Sequence, residues 1–334
     1  MKRTKHILSA ACLLPLAAII SCNEKPQPLP EPADAQESVR ISIQAAPLTK
    51  ASGTEALDFE SAITSFDFLV FDAATDKLLL QEHRSSGAGF TLKMVPGGKK
   101  VIAFANGGNV VPEGAVTALD SLQYRYFNFA DVNEDGTRLA MYDLQGLGGV
   151  VNVIPGGENV IEVNLNRFPC RIRLRSITEE LLSENVNSFS YGAACLYNVP
   201  CRYALDGTLD DTAGKRLQPL NTGVTGASAA SGGSLTYKPL TTGSGAHHPL
   251  GAPVELYTYP GSEVYLGFSA TINGTPYYYA VPLSGLQSNY SYDVSIVLHT
   301  LGGTDPGQPA INTGVSASVT ITPWGSGDEI TETL

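Results

Sequence analysis

The stretch Val264-Tyr-Leu-Gly-Phe-Ser-Ala-Thr-Ile272, Asn273-Gly274, Thr275-Pro-Tyr-Tyr-Tyr-Ala-Val-Pro-Leu283 reads as a β-hairpin. Alternate residues of Val264–Ile272 are apolar, the period of a strand with one buried face. Tyr277 to Leu283 is the returning strand, and Asn-Gly between such runs favours the tight turn whose twist matches the strands on either side. The same grammar recurs through most of the chain. Ile63 to Phe71 reads as a strand, with Asp72 to Lys77 as the turn into Leu78-Leu79-Leu80. Phe90 to Val95 closes at Pro96-Gly97-Gly98, and Lys100 to Ala105 closes at Asn106-Gly107-Gly108. Val150 to Ile154 and Asn159 to Leu165 flank Pro155-Gly156-Gly157, and Tyr290 to His299 is a long strand. The helical signal is confined to Ala118–Tyr124. An all-β chain follows, and its 334 residues predict two domains.

The strand pattern restarts after Phe168-Pro169 as Cys170-Arg171-Ile172-Arg173-Leu174-Arg175-Ser176-Ile177. Arginines alternate with apolar residues, which predicts a strand with one wet face. The expected boundary lies there, giving two tandem antiparallel β-sandwich domains over 51–167 and 168–310. Within the second, Thr222–Gly245 is rich in Gly, Ser, Thr and Ala and reads as a long surface loop.

Both ends carry something different. Lys2, Arg3 and Lys5 precede an apolar run from Ile7 to Ile20 that stops at Ser21-Cys22. That run is about 14 residues, short of the ~20 a spanning helix needs, so 1–21 reads as a cleaved export signal. Ile19-Ile20-Ser21-Cys22 resembles the lipobox of bacterial lipoproteins, which makes Cys22 the acylated first residue of the mature chain. A Pro- and acid-rich spacer leads to the alternating Val39, Ile41, Ile43, Ala45 and then to Lys50-Ala51. At the other end a Gly/Pro linker, Gly302 to Pro309, leads to Val315, Ala317, Val319, Ile321 and Pro323-Trp324. Each is a short apolar strand on a leash, free by sequence to pair within its own molecule or with another.

Without residues 1–21 the chain holds 18 basic against 32 acidic residues, 18 − 32 = −14, which leaves no basic surface for nucleic acid. Beyond the signal and Cys22, the cysteines are Cys170, Cys195 and Cys201, an odd number with no framework spacing, though Cys195 and Cys201 could pair. Asp131-x-Asn133-x-Asp135-Gly136 begins like a calcium loop, but Leu139 and Tyr142 stand where later ligands belong, so an acidic turn is the better reading. His247-His248 falls in the polar loop with no thiol or carboxylate beside it in sequence. No nucleophile, zinc or phosphate motif is present, no carboxylate pair can be singled out, and no metal or cofactor is expected. Tyr277-Tyr278-Tyr279 offers a sugar-stacking platform or, more simply, tyrosines straddling a sheet, one buried and two exposed. Trp324 reads as a core or groove anchor.

Taken in order, these segments resemble the Bacteroidales fimbrillins, FimA-type subunits of type V pili. The segments are the lipobox at Cys22, Ile41-Ser42-Ile43 running to Lys50-Ala51-Ser52-Gly53, Ile63 to Asp72, and Lys100 to Gly107. Arg167 to Ile177, Asn289 to Val294 and Ala317 to Trp324 complete the series. The resemblance implies transthyretin-like sandwiches and a precursor held at the outer membrane as a lipoprotein. It implies a surface protease specific for Lys or Arg that cuts after Lys50, freeing the leader 22–50 with its first strand. Arginine is usual at that position in the family. It also implies that a neighbour's C-terminal segment, here 311–334 with Val315, Ala317, Val319, Ile321 and Trp324, fills the opened groove. The expected function is a non-enzymatic fimbrial subunit that polymerises head to tail with copies of itself or with other fimbrial subunits, supporting adhesion. The alternatives are an anchor, accessory or tip subunit, or a monomeric surface lipoprotein that binds glycan.

Overall fold

Period-two alternation becomes strand over most of the described residues. The computed structural model describes residues 36–45, 60–107, 111–128, 139–182, 184–200, 202–208, 215–216, 237–306, 310–311, 314–323 and 330–333. Cys22, Lys50, Ala51, Cys201, Trp324 and the 131–136 turn lie outside the described residues. The first strands are β1 (Glu37–Ala45), β2 (Phe66–Asp72), β3 (Leu78–Arg84), β4 (Phe90–Met94) and β5 (Gly97–Ala105). β6 (Tyr126–Asn128), β7 (Met141–Asp143), β8 (Val151–Val153) and β9 (Asn159–Arg167) follow. Next come β10 (Cys170–Glu179), β11 (Phe189–Tyr197), β12 (Val199–Pro200), β13 (Arg202–Ala204), β14 (Lys215–Arg216) and β15 (Tyr237–Pro239). The last are β16 (Val254–Thr258), β17 (Val264–Ile272), β18 (Thr275–Leu283), β19 (Tyr290–Leu298), β20 (Ala310–Ile311), β21 (Val315–Pro323) and β22 (Ile330–Thr333). The expected short helix is a 3-10 turn at Leu119–Tyr124.

Strands β1 to β9, apart from β6, form one sheet in the order β3-β2-β5-β7-β9-β1-β4, with β8 also on β5. The sheet folds over on itself. Phe66, Phe68 and Val70 of β2 and Ala103 and Ala105 of β5 pack against Val39, Ile41, Met94, Ile161 and Val163 on the opposite leaf. After Phe168-Pro169 two five-stranded sheets take over, β16-β10-β19-β21-β22 and β15-β11-β17-β18-β20. They face one another across a core that includes Ile172, Leu174, Val294 and Ile296 from one and Leu196, Leu266, Phe268 and Val281 from the other. This is β-sandwich packing, two sheets burying their apolar faces together.

Most pairings are antiparallel, but two of the three parallel ones among the described residues reveal a repeated plan. β1 lies parallel to β9 and antiparallel to β4. β10 likewise lies parallel to β19 and antiparallel to β16. Each half thus opens with a strand that sits between two others. In the second half that strand continues from β9 through Phe168-Pro169. In the first it stands near the start of the chain, with 46–59 leading on to Glu60.

A third core joins the halves. Leu69, Phe71, Ile102 and Phe104 pack with Phe168, Leu205, Tyr257 and Tyr259. The Phe168 ring lies 4.5 Å from that of Phe127 and 4.2 Å from that of Tyr142. Residues Gln36–Leu334 form one compact unit.

Several sequence expectations are corrected. The arginine face of β10 is not wet, because Arg171 is buried, Arg173 pairs with Glu255 at 3.3 Å, and only Arg175 reaches the surface. The far end of the Thr222–Gly245 stretch is not loop: Tyr237–Pro239 pairs with Cys195–Ala193, and Leu240 is buried behind it. Tyr278 and Tyr279 are both buried, on opposite faces of β18, and Tyr277 is half-buried beside Tyr279. One of the histidines does meet a carboxylate: His248 Nδ1 lies 3.2 Å from Glu179 Oε2, and its ring stacks on Phe189, while His247 Nδ1 contacts the Glu179 backbone oxygen at 2.9 Å. Among the described residues no group of His, Cys, Asp and Glu is arranged to hold a metal.

Candidate assembly site

Strand β1 carries the expected removable residues, and its surroundings define the site. Val39 to Ala45 runs parallel beside Asn159 to Leu165. On the other side Glu37 to Ile41 runs antiparallel to Met94 through Phe90. β1 is therefore not an edge strand but the filling of a slot. Val39 and Ile41 are fully buried and Ile43 is half-buried against the same core. Arg40, between them, points to solvent. At about 1.5–3 kcal/mol for each fully buried aliphatic side chain, Val39 and Ile41 contribute roughly 3–6 kcal/mol before ordering costs.

The floor of the slot is aromatic. Phe66 and Phe68 stack 6.2 Å apart, and Phe90 sets its edge to both, at 6.1 and 5.8 Å. Arg84 caps the Phe90 ring at 4.4 Å. Gly89 closes one wall: a Cβ there would stand 2.9 Å from the Ile41 carbonyl oxygen. At the end where β1 begins, Asn159 closes the neighbouring turn, accepting from Ile154 N at 2.8 Å and donating to Ile154 O at 3.0 Å. Sequence patterning exposed β1 but not this lining. Phe66, Phe68 and Phe90 were legible as strand residues, yet nothing in their spacing says which strand lies across from them.

The described residues resume at Glu60, nine residues after Ala51. The buried Glu60 carboxylate accepts from Arg171 Nη1 at 3.1 Å to each oxygen and from the Tyr257 hydroxyl at 2.6 Å. Its backbone oxygen accepts from Arg167 Nε at 2.7 Å. Arg171 also donates to Ser291 Oγ, and Arg167 to Asn289 Oδ1. Burial pulls Arg167 down to about 10, which leaves it charged at neutral pH. Burial and then the Glu60 charge push the Tyr257 hydroxyl far above its usual range, so it stays a donor. This cluster ties the chain behind the expected cut to β9, β10, β16 and β19. An isolated Glu in an irregular stretch gives no sequence signal for it.

The expected donor residues are seated in their own molecule. β21 pairs antiparallel with β19 along its whole length, from Val315 opposite Leu298 to Pro323 opposite Tyr290. Ser318 to Ile321 also pairs with β22. Ala317 and Val319 are buried, and Val315 and Ile321 pack half-buried on the same core. The leash before it is partly fixed, since Gly303 and Tyr278 exchange backbone hydrogen bonds of 3.0 and 2.8 Å.

Cys170 and Cys195 lie in the cores, with their thiols pushed up by burial, Cys195 to about 12, so neither is poised as a nucleophile.

The architecture has solved counterparts. A candidate cell adhesion protein from Parabacteroides distasonis superposes with a TM-score of 0.61 at 17% identity, over 87% of this chain and 97% of that one. A fimbrilin from Porphyromonas gingivalis gives 0.57 at 12% identity, over 86% and 97%. A fimbrial assembly protein from Parabacteroides distasonis gives 0.52 at 13%, over 89% and 99%. This is the fimbrillin fold. No protein-family model matches the sequence, and no curated protein matches it. At these identities the likeness concerns the fold alone. The likeness covers 86–89% of this chain.

Proposed function

We propose that the chain is a non-enzymatic structural subunit of a surface fimbria, built as two sandwich domains over 51–167 and 168–310. It is exported as a lipoprotein acylated at Cys22 and polymerises by strand exchange after a cut between Lys50 and Ala51. The observation that carries the reading is the seat of β1. It is buried and paired on both sides, yet a cut behind it would leave it joined to nothing else in the chain. Withdrawing it uncovers the Phe66, Phe68 and Phe90 floor and two unpaired strand edges, β4 and β9, which bind any strand of suitable pattern. β21 has that pattern. Likeness to fimbrial and cell adhesion proteins of the same fold supports the reading.

The energetics are a trade between two similar seats. At home β21 is paired along its full length on one side and over four residues on the other. The slot offers Val39–Ala45 on one side and Glu37–Ile41 on the other. The cut opens the slot to a second strand, and a head-to-tail contact that does not close yields a filament.

A subunit that accepts a strand but donates none, at the tip or base, is the second reading. The complete home pairing of β21 favours it. Deleting 315–334 separates the two. A shaft subunit loses its heat-stable ladders on gels while its circular dichroism still reports sheet, and an excess of peptide Val315–Trp324 slows ladder formation by the cut wild-type chain. Ladders unchanged in both tests rule out the C-terminal donor.

A further inference from the structure

The end of the slot at which β1 enters carries apolar surface that the fold leaves uncovered. Val95 follows Met94, the residue paired with Glu37, and is 40% exposed. Ile154, in the turn that Asn159 closes opposite Val39, is 58% exposed. Val150, 51% exposed, precedes β8 and lies over Gly98 of its partner strand β5. Elsewhere on the chain Ile311 is 49% exposed, held outward by the short pairing of Ala310–Ile311 with Tyr279–Ala280. It stands four residues ahead of Val315.

Those two features fall together in register. A strand replacing β1 has to run in the same direction as β1 to keep both ladders. With Ala317 in the place of Val39, Ile311 takes position 33; with Val315 there, it takes position 35. Both registers keep alternate apolar residues inward. Ile311 then emerges two to four residues beyond Glu37, about 7–13 Å at roughly 3.3 Å per residue, over the rim formed by Val95 and Ile154.

We infer that the Val95, Val150 and Ile154 rim is a subunit–subunit docking surface whose occupant is Ile311 of a second copy of this chain. The inference rests on the strand-exchange reading and adds to it the contact that ties the donor's body to the acceptor. Because the home seat and the slot offer similar ladders, burial of Ile311 on the rim supplies what strand exchange alone does not. It also makes the joint between subunits short, since β20 stays on the donor's own β18.

The test uses full-length chains. Ile154→Cys and Ile311→Cys variants are purified separately, cut, mixed and oxidised mildly, with each single variant as the control for native thiols. A disulfide between chains that forms only in the mixed, cut sample is expected. Ile311→Ser and Ile154→Ser, both at exposed positions, should slow ladder formation about tenfold, equivalent to about 1.4 kcal/mol. No cross-link above the controls, together with wild-type ladder rates for both serine variants, overturns the rim contact. If ladders still vanish on deleting 315–334, strand exchange survives that result; if they persist, the exchange reading has failed instead. A third arm measures the uncut chain on phosphatidylethanolamine and phosphatidylglycerol vesicles. Binding lost in Ile154→Ser with assembly unchanged would give the rim to the membrane and overturn the inference.

Discussion

Ile41 of β1 lies directly opposite Ile161 of β9 in a parallel register. A first strand running parallel to the last strand of its own sheet has no short connection to it, so among the described residues its hold is packing, ladder and the hydrogen bond that Lys93 Nζ donates to Ser38 Oγ. Ile41→Ala should destabilise the uncut chain by about 2–5 kcal/mol, the usual cost of a buried Ile truncation. Urea unfolding of the uncut chain measures it. The same change should leave ladder formation by the cut chain unaltered, because the residue is gone from the assembled form.

Gly89→Ala places a methyl 2.9 Å from the Ile41 carbonyl oxygen. The wall or β1 has to shift, which loosens the strand locally without touching the opposite leaf. Backbone amides of β1 should exchange with deuterium faster than in the wild type, while those of β2 and β5 keep their protection. Equal protection of β1 in both proteins would show that the wall gives way instead.

Glu60→Gln keeps the shape of the joint and removes its negative charge. Arg167 and Arg171 then lose the Glu60 charge from their buried site, and breaking such a buried pair costs about 3–5 kcal/mol. The loss should be the same in cut and uncut chains, since Glu60 lies behind the cut. Denaturant midpoints of the two forms test this, and a loss confined to the uncut chain would refute it.

Burial raises the carboxyls of Asp67 and Asp143 above the usual 3.8; His83 opposes the shift at Asp67, and backbone donors from Gln145 and Asn164 oppose it at Asp143. A raised folded-state pKa means that the folded chain binds more protons than the unfolded one just above pH 3.8. Their contribution therefore falls as pH rises through that window and is constant above it. Asp67→Asn, which never ionises, should flatten part of that fall. Stability measured across the acid range by urea titration gives the slope.

The all-β fold was legible because alternation and turn residues mark nearly every strand, from Val39–Ala45 to Val315–Ile321. The position of each strand in its sheet was not. β1 and β21 look alike in sequence, but β1 fills a slot between β9 and β4 while β21 sits beside β19 with β22 beyond it. Such long-range pairing is set by packing across the core, which local pattern does not encode. Arg171 shows the same gap. Its spacing with Arg173 and Arg175 suggested water, but Glu60, more than a hundred residues earlier, places it in a buried ion pair. The rim at Val95 and Ile154 was invisible for a related reason: exposure is a property of the finished fold.

Strand exchange requires β1 to be absent from the assembled form. Intact mass and N-terminal sequencing of polymer extracted from the cell surface measure this directly. Chains beginning at Ala51, with residues 22–50 missing, are the predicted result. A polymer made of acylated chains that begin at Cys22 and still contain Val39, Ile41 and Ile43 would contradict it.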